Sequence, residues 1–172
     1  MPEARTPIEQ ANQLIRGIQF AMLTTIRPDQ SLHSCPVAMQ QADAEGHLWF
    51  FALANSEEVN ALRQDKHVCV SFADPDGQRY VSITGVGDLV RSEPKAKELW
   101  NPLYKSWFPE GLNNSNLLLI KVLILEAEYW YGREGRRLQV LGFAKAPIMD
   151  EGYQPSGHAV VEMVENQRDR NR

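Results

Sequence analysis

His47 to Ala73, HLWFFALANSEEVNALRQDKHVCVSFA, reads as strand, helix, strand, and the rest of the chain is arranged around it. Leu48-Trp49-Phe50-Phe51-Ala52-Leu53 is a short apolar and aromatic run, a length that suits a buried strand. Ser56 stands at a helix N-cap, with Glu57 and Glu58 in the first turn complementing the positive end of the dipole. Val59 and Leu62 give the helix one apolar stripe, which ends by Asp65. Val68, Val70 and Phe72 then alternate with Cys69 and Ser71, the period of a half-buried strand. A strand feeding straight into a helix N-terminus offers an anion site, because free N–H groups and the dipole converge there. The start of this helix is therefore the first functional candidate.

Outward from this unit, turn signals separate further strands. Thr6-Pro7-Ile8-Glu9 is a capping box with proline at the first helical position, and the helix runs to a stop at Gly17. Phe20 to Ile26 and Leu32 to Met39 read as strands joined by a turn at Arg27 to Gln30. Pro36 cannot donate to a ladder, which puts the second strand at an edge, in a bulge, or against a ligand. Asp74-Pro75-Asp76-Gly77 predicts a hairpin into a long strand from Arg79 to Val90, where Gly85 and Gly87 signal a bulge. Ser92 caps a helix running to Trp100, broken by Pro102 and ended by Pro109. Leu117 to Leu125 is a strand, extended after a bend by Glu126 to Tyr131. Gly132 to Gly135 turns the chain into a last core strand, Leu138 to Ala144. From Pro147 the sequence predicts an irregular tail with one short strand at His158 to Met163. The expected class is mainly β: an antiparallel barrel of six to seven strands with about three helices, bulges favouring a barrel over a sandwich.

Composition excludes several functions. A chain of 172 residues, 43% apolar and 23% charged, is one globular domain. A net charge of −4 with no basic stripe gives no nucleic-acid interface. No apolar run reaches membrane-spanning length, and the N-terminus lacks the core of a signal peptide, so a cytoplasmic protein with reduced Cys35 and Cys69 is expected. His33, His47, His67 and His158 have no metal-ligand spacing, and no nucleophile elbow or dinucleotide fingerprint is present. Four tryptophans are more aromatic surface than one small core needs, which predicts a subunit interface. Trp107, Phe108 and the Leu117 to Leu125 strand are its expected members.

The order of several segments resembles the general stress protein subfamily of the pyridoxamine 5′-phosphate oxidase-like, FMN-binding split-barrel proteins. The resemblance rests on Leu23-Thr24-Thr25, His33-Ser34, Leu48-Trp49-Phe50-Phe51, Ser71-Phe72-Ala73-Asp74-Pro75 and Arg79-Tyr80-Val81-Ser82. It continues through Glu98-Leu99-Trp100-Asn101-Pro102-Leu103, Trp107-Phe108-Pro109-Glu110-Gly111, Glu128-Tyr129-Trp130 and Leu141-Gly142-Phe143-Ala144-Lys145-Ala146. It covers residues 6–146 as one split-barrel domain and leaves the tail at 147–172 outside.

It implies a homodimer with a flavin, FMN or FAD, in the groove between two barrels, and flavin-dependent redox chemistry on an unidentified substrate, with no catalytic residue nameable from the sequence. One chain would supply His33, Ser34, Cys35, Pro36 and Val37, then Phe50, Phe51, Ala52 and Leu53, then Ser56, Glu58 and Val59. Its partner would supply Tyr80, Ser82 and Trp130. The chain departs from the pattern at Cys35, where similar proteins usually carry arginine, and at Glu58, where they carry lysine; both changes remove a cation expected at the flavin phosphate. Arg27, Arg63, Lys66 and Arg79 are the candidates to replace them. The alternative is a non-enzymatic split-barrel dimer that has lost tight flavin binding and acts as a binding or stress-response module. A haem-binding relative is disfavoured, since no histidine on the tail has a ligand setting.

Overall fold

The computed structural model describes residues 7–38, 42–131 and 158–162. The expected Thr6 cap, the turn from Gly132 and the strand at Leu138 to Ala144 lie outside these residues. In chain order the elements are helix α1 (Pro7–Ile15), strands β1 (Phe20–Ile26), β2 (Leu32–Ala38) and β3 (His47–Leu53), helix α2 (Glu57–Gln64), strands β4 (His67–Asp74) and β5 (Arg79–Val90), helix α3 (Glu93–Leu99), two 3-10 turns (Pro102–Ser106 and Gly111–Asn113), and strands β6 (Leu117–Tyr131) and β7 (His158–Glu162).

Every ladder is antiparallel, and the strands follow the order β2-β1-β4-β5-β6-β3, with β7 added along β6. The two strands of the opening motif are therefore not neighbours: β3 pairs with β6 and β4 lies between β1 and β5. The sheet curls round one core to which both its ends and both flanking helices contribute, through Ile15, Leu23, Val37, Phe50, Val59, Leu62, Ile83 and Ile120 among others. Each large side chain so buried contributes roughly 1.5–3 kcal/mol. Pro36 is on β2, at one end of the sheet opposite Met22, where a missing ladder donor is tolerated.

The expected bulge falls where β5 changes register against β6, between Thr84 and Gly85. The extra residue is Leu125 on β6, so the anticipated bend there is this bulge inside one continuous strand. Gly85 is required by the close approach: a Cβ on it would lie 2.3 Å from the Leu123 carbonyl oxygen. The turn from β4 to β5 is held by Gly77 N–H donating to Asp74 Oδ1 at 3.0 Å, with Gln78 taking positive φ.

Two expectations about the aromatics change. Leu118 to Ile120, Val122 and Ile124 are buried within their own chain, because β6 is central to the sheet with β3 and β5 on its flanks. That strand is core, not interface. Trp49 is also buried, its Nε1 donating to Asp43 at 2.8 Å and the Lys95 and Lys121 ammonium groups over its ring. Trp100, Tyr104 and Phe108 close around Phe51, with ring centroids 5.4, 5.5 and 6.2 Å from it. These contacts lay α3 and the first 3-10 turn over the outer face of β3. Of the aromatic rings in that segment, Trp107 alone stays substantially exposed, at 44%.

Candidate functional site

Strand periodicity divides the predicted site residues between two faces. On β2, Leu32, Ser34 and Pro36 are exposed, while His33, Cys35 and Val37 turn inward. On β3, Phe50 and Ala52 are core and Phe51 and Leu53 face outward. Val59 is fully buried under the sheet. Two places on the chain retain accessible chemistry.

The first is a groove of about 400 Å³ on the outer face of the sheet. Phe20 and Met22 of β1, Pro36 of β2, Ser71 and Ala73 of β4, Tyr80 and Ser82 of β5, and Trp130 of β6 line it. The volume falls in the range of small-ligand clefts, and the lining of aromatic and apolar walls with the hydroxyls of Ser71, Ser82 and Tyr80 suits a flat ring system. Phe20 is 49% exposed and Tyr80 43%, and Trp107 stacks on Phe20 at 5.7 Å with planes 23° apart. Ser82 Oγ also lies 3.4 Å from Cys69 Sγ. The groove thus brings together four residues named from the sequence, Pro36, Tyr80, Ser82 and Trp130, from three strands. Phe20, Met22, Ser71 and Ala73 were not anticipated; the signal available was that FAMLTTI is apolar on both faces, one more than a half-buried strand needs.

The second place is the start of α2. Ser56 has the extended backbone of an N-cap, but its hydroxyl makes no capping bond and is buried without a partner. Arg27, at the end of the first hairpin strand, donates from Nε to Glu57 Oε1, and His33 Nε2 lies 3.2 Å from Glu57 Oε2. The hydrogen bond from Arg27 holds the Glu57 carboxyl below its usual range. His33 Nδ1 is a second buried atom with no partner. Burial, reinforced by Glu58 and then Glu57, pushes the Cys35 thiol up to about 12. Ser34, on the other face, exchanges a 2.7 Å hydrogen bond with Thr24.

Such a helix start does not fit a flavin phosphate. Two carboxylates occupy its first turn, and the Arg27 guanidinium is already paired with one of them. The other three candidate cations are committed as well. Arg63 donates to Asn60 Oδ1 and the Ala54 carbonyl, and Lys66 pairs with Asp88 at 2.6 Å. Arg79 pairs with Asp74 and reaches the carbonyl of Arg16 behind α1.

A third grouping was not legible in the histidine spacing. Asp43, Glu45 and His47 bring ligand-type atoms within 4.8 Å of one another. Asp43 Oδ1 accepts from the backbone N–H of Glu45 and of His47, and Oδ2 from Trp49 Nε1. Burial opposes the charge on Asp43, but these donors outweigh it and hold the carboxyl below its usual range. Its oxygens are used in shaping the entry to β3.

The family model of pyridoxamine 5′-phosphate oxidase-like proteins matches residues 6–154. The chain belongs to that family. Among curated proteins it is similar to protein bli-3 of Neurospora crassa, 23% identical over 133 residues. That match covers 71% of the chain and 63% of the relative's length. The fold matches the general stress protein 26 of Bacillus anthracis with a TM-score of 0.63 at 20% identity, over 71% of this chain and 92% of that one. It also matches a pyridoxamine 5′-phosphate oxidase-related, FMN-binding protein of Nostoc punctiforme with a TM-score of 0.51 at 12% identity, over 72% and 80% of the two chains. The curled antiparallel sheet is thus the split barrel of this pyridoxamine oxidase-like family. Among the described residues, no helix is long and apolar enough to cross a membrane.

Proposed function

We propose that this family member is a general-stress-type flavin-binding protein that seats a tricyclic ring in the groove against Tyr80 and Trp130, in a homodimer. The observation that carries the reading is the groove itself, which unites Pro36, Tyr80, Ser82 and Trp130 beside exposed aromatic surface. The FMN-binding description of a solved neighbour supports the ligand class. A bound flavin supplies redox chemistry of its own, while the protein supplies the slot, hydroxyl partners and control of water. The dimer is what the resemblance implies, and the exposed aromatic surface of Phe20, Tyr80 and Trp107 at and beside the groove is what a second chain would cover. The paired cations at α2 favour a second reading, a split-barrel dimer that serves as a binding module without flavin.

Titration of riboflavin fluorescence against the purified protein separates them. Saturable quenching, weakened about five- to tenfold by Tyr80→Ala or Trp130→Ala, supports ring binding; stacking losses of about 1–1.4 kcal/mol correspond to that factor. A colourless protein that ignores both riboflavin and FMN overturns it in favour of the module.

A further inference from the structure

We infer that the Glu57 carboxylate fills the anion position at the start of α2, and that the protein therefore selects a phosphate-free ring ligand over its phosphorylated form. The inference deepens the groove-binding reading above and rests on it. A positive helix end, a guanidinium, an imidazole and a free hydroxyl are what an oxyanion ligand is held by. All four are present at this one place, as α2, Arg27, His33 and Ser56. The two oxygens of Glu57 take the two strongest of them: Oε1 faces Arg27 and Oε2 faces His33.

A ligand phosphate can use these groups only by displacing Glu57, and even then it meets Glu58 one residue on. Opposite charge attracts the phosphate no longer once Arg27 is paired, and like charge repels it. Nothing comparable opposes an uncharged ring, because the groove lining contains no ionised side chain. Glu58, where the chain departs from the family pattern, is thus the lesser obstacle to a phosphate. Glu57, which reaches back 30 residues to Arg27, is the greater.

The test measures riboflavin and FMN binding by fluorescence quenching in wild type, Glu57→Ala and Glu57→Gln, with melting curves in inorganic phosphate alongside. Glu57 has a half-exposed side chain outside the core, so both variants should fold. Wild type should prefer riboflavin by about tenfold or more, a ratio that elevated salt reduces. Either substitution should close that gap by raising FMN affinity, leave riboflavin within about threefold, and make phosphate stabilising where wild type ignores it. Equal affinity of wild type for the two ligands, or a ratio unchanged in both variants, overturns the inference and leaves ring binding standing. Failure of every protein to bind either flavin overturns the groove-binding reading, and the inference falls with it.

Discussion

Cys35 stands where the resemblance implies a cation, next to a proline and two residues from a histidine. Its strand turns it inward, and burial together with Glu58 and Glu57 pushes the thiol up to about 12. At pH 8 only about one thiol in ten thousand would then be ionised, so native Cys35 should resist iodoacetamide. Rapid alkylation of Cys35 in the folded protein at pH 8 would refute this. The same shift has a stability consequence with a definite sign. The folded state binds this proton more tightly than the unfolded chain, whose thiol ionises near 9. The contribution is therefore complete below that pH and is lost as pH rises toward about 12. Urea midpoints measured from pH 8 to 11 should fall for wild type, and fall less steeply for Cys35→Ser, which has no group titrating there.

At the scale of elements, the strands and helices were largely legible and their pairing was not. Phe20 to Ile26 is a strand as expected, Ser92 accepts from Lys95 N–H as a cap should, and the short strand at His158 is present. That β3 leaves its neighbour β4 to pair with β6, some 70 residues away, has no local signal, because ladder partners in a curled sheet are fixed by closure of the core. The candidate site divides the same way. Pro36, Tyr80, Ser82 and Trp130 came from resemblance, whereas the Arg27–Glu57–His33 cluster depends on a hairpin meeting a helix and is invisible to spacing. The two glycines of β5 make the point testable. A methyl at Gly85 runs into backbone, 2.3 Å from Leu123 O, while at Gly87 it meets the end of the Leu62 side chain at 2.9 Å. Backbone must move in the first case and only a rotamer in the second. Gly85→Ala should therefore cost about 2–4 kcal/mol and Gly87→Ala about 1 kcal/mol or less, by denaturant unfolding. Equal losses at the two positions would mean the bulge at Leu125 is not what requires Gly85.

For the whole molecule, the question is what covers the aromatic face that the fold leaves open. Phe20, Met22, Tyr80 and Trp107 are all more than two-fifths exposed, and Phe20 and Trp107 already stack into one surface beside the groove. Contiguous apolar surface of this kind on a folded chain marks an interaction site, and aromatic residues are enriched at the centre of such interfaces. Leu118 to Ile120, Val122 and Ile124 of β6 have no part in it, since they are buried within the chain, and the strand reaches the groove through Trp130. The expected assembly is a dimer sedimenting at twice the 19.6 kDa chain mass at micromolar concentration. Phe20→Lys and Trp107→Lys place a charge at the centre of the patch while leaving the barrel core untouched, and each should shift the equilibrium toward monomer by at least tenfold. If the groove binds its ring ligand between two copies, the two equilibria are linked. Riboflavin should then tighten the wild-type dimer, and Trp107→Lys, which lies outside the groove lining, should lose ligand affinity in proportion to its loss of association. A wild-type monomer with intact fold removes the dimer. Ligand affinity that stays constant as the dimer dissociates keeps the dimer but confines the site to a single chain.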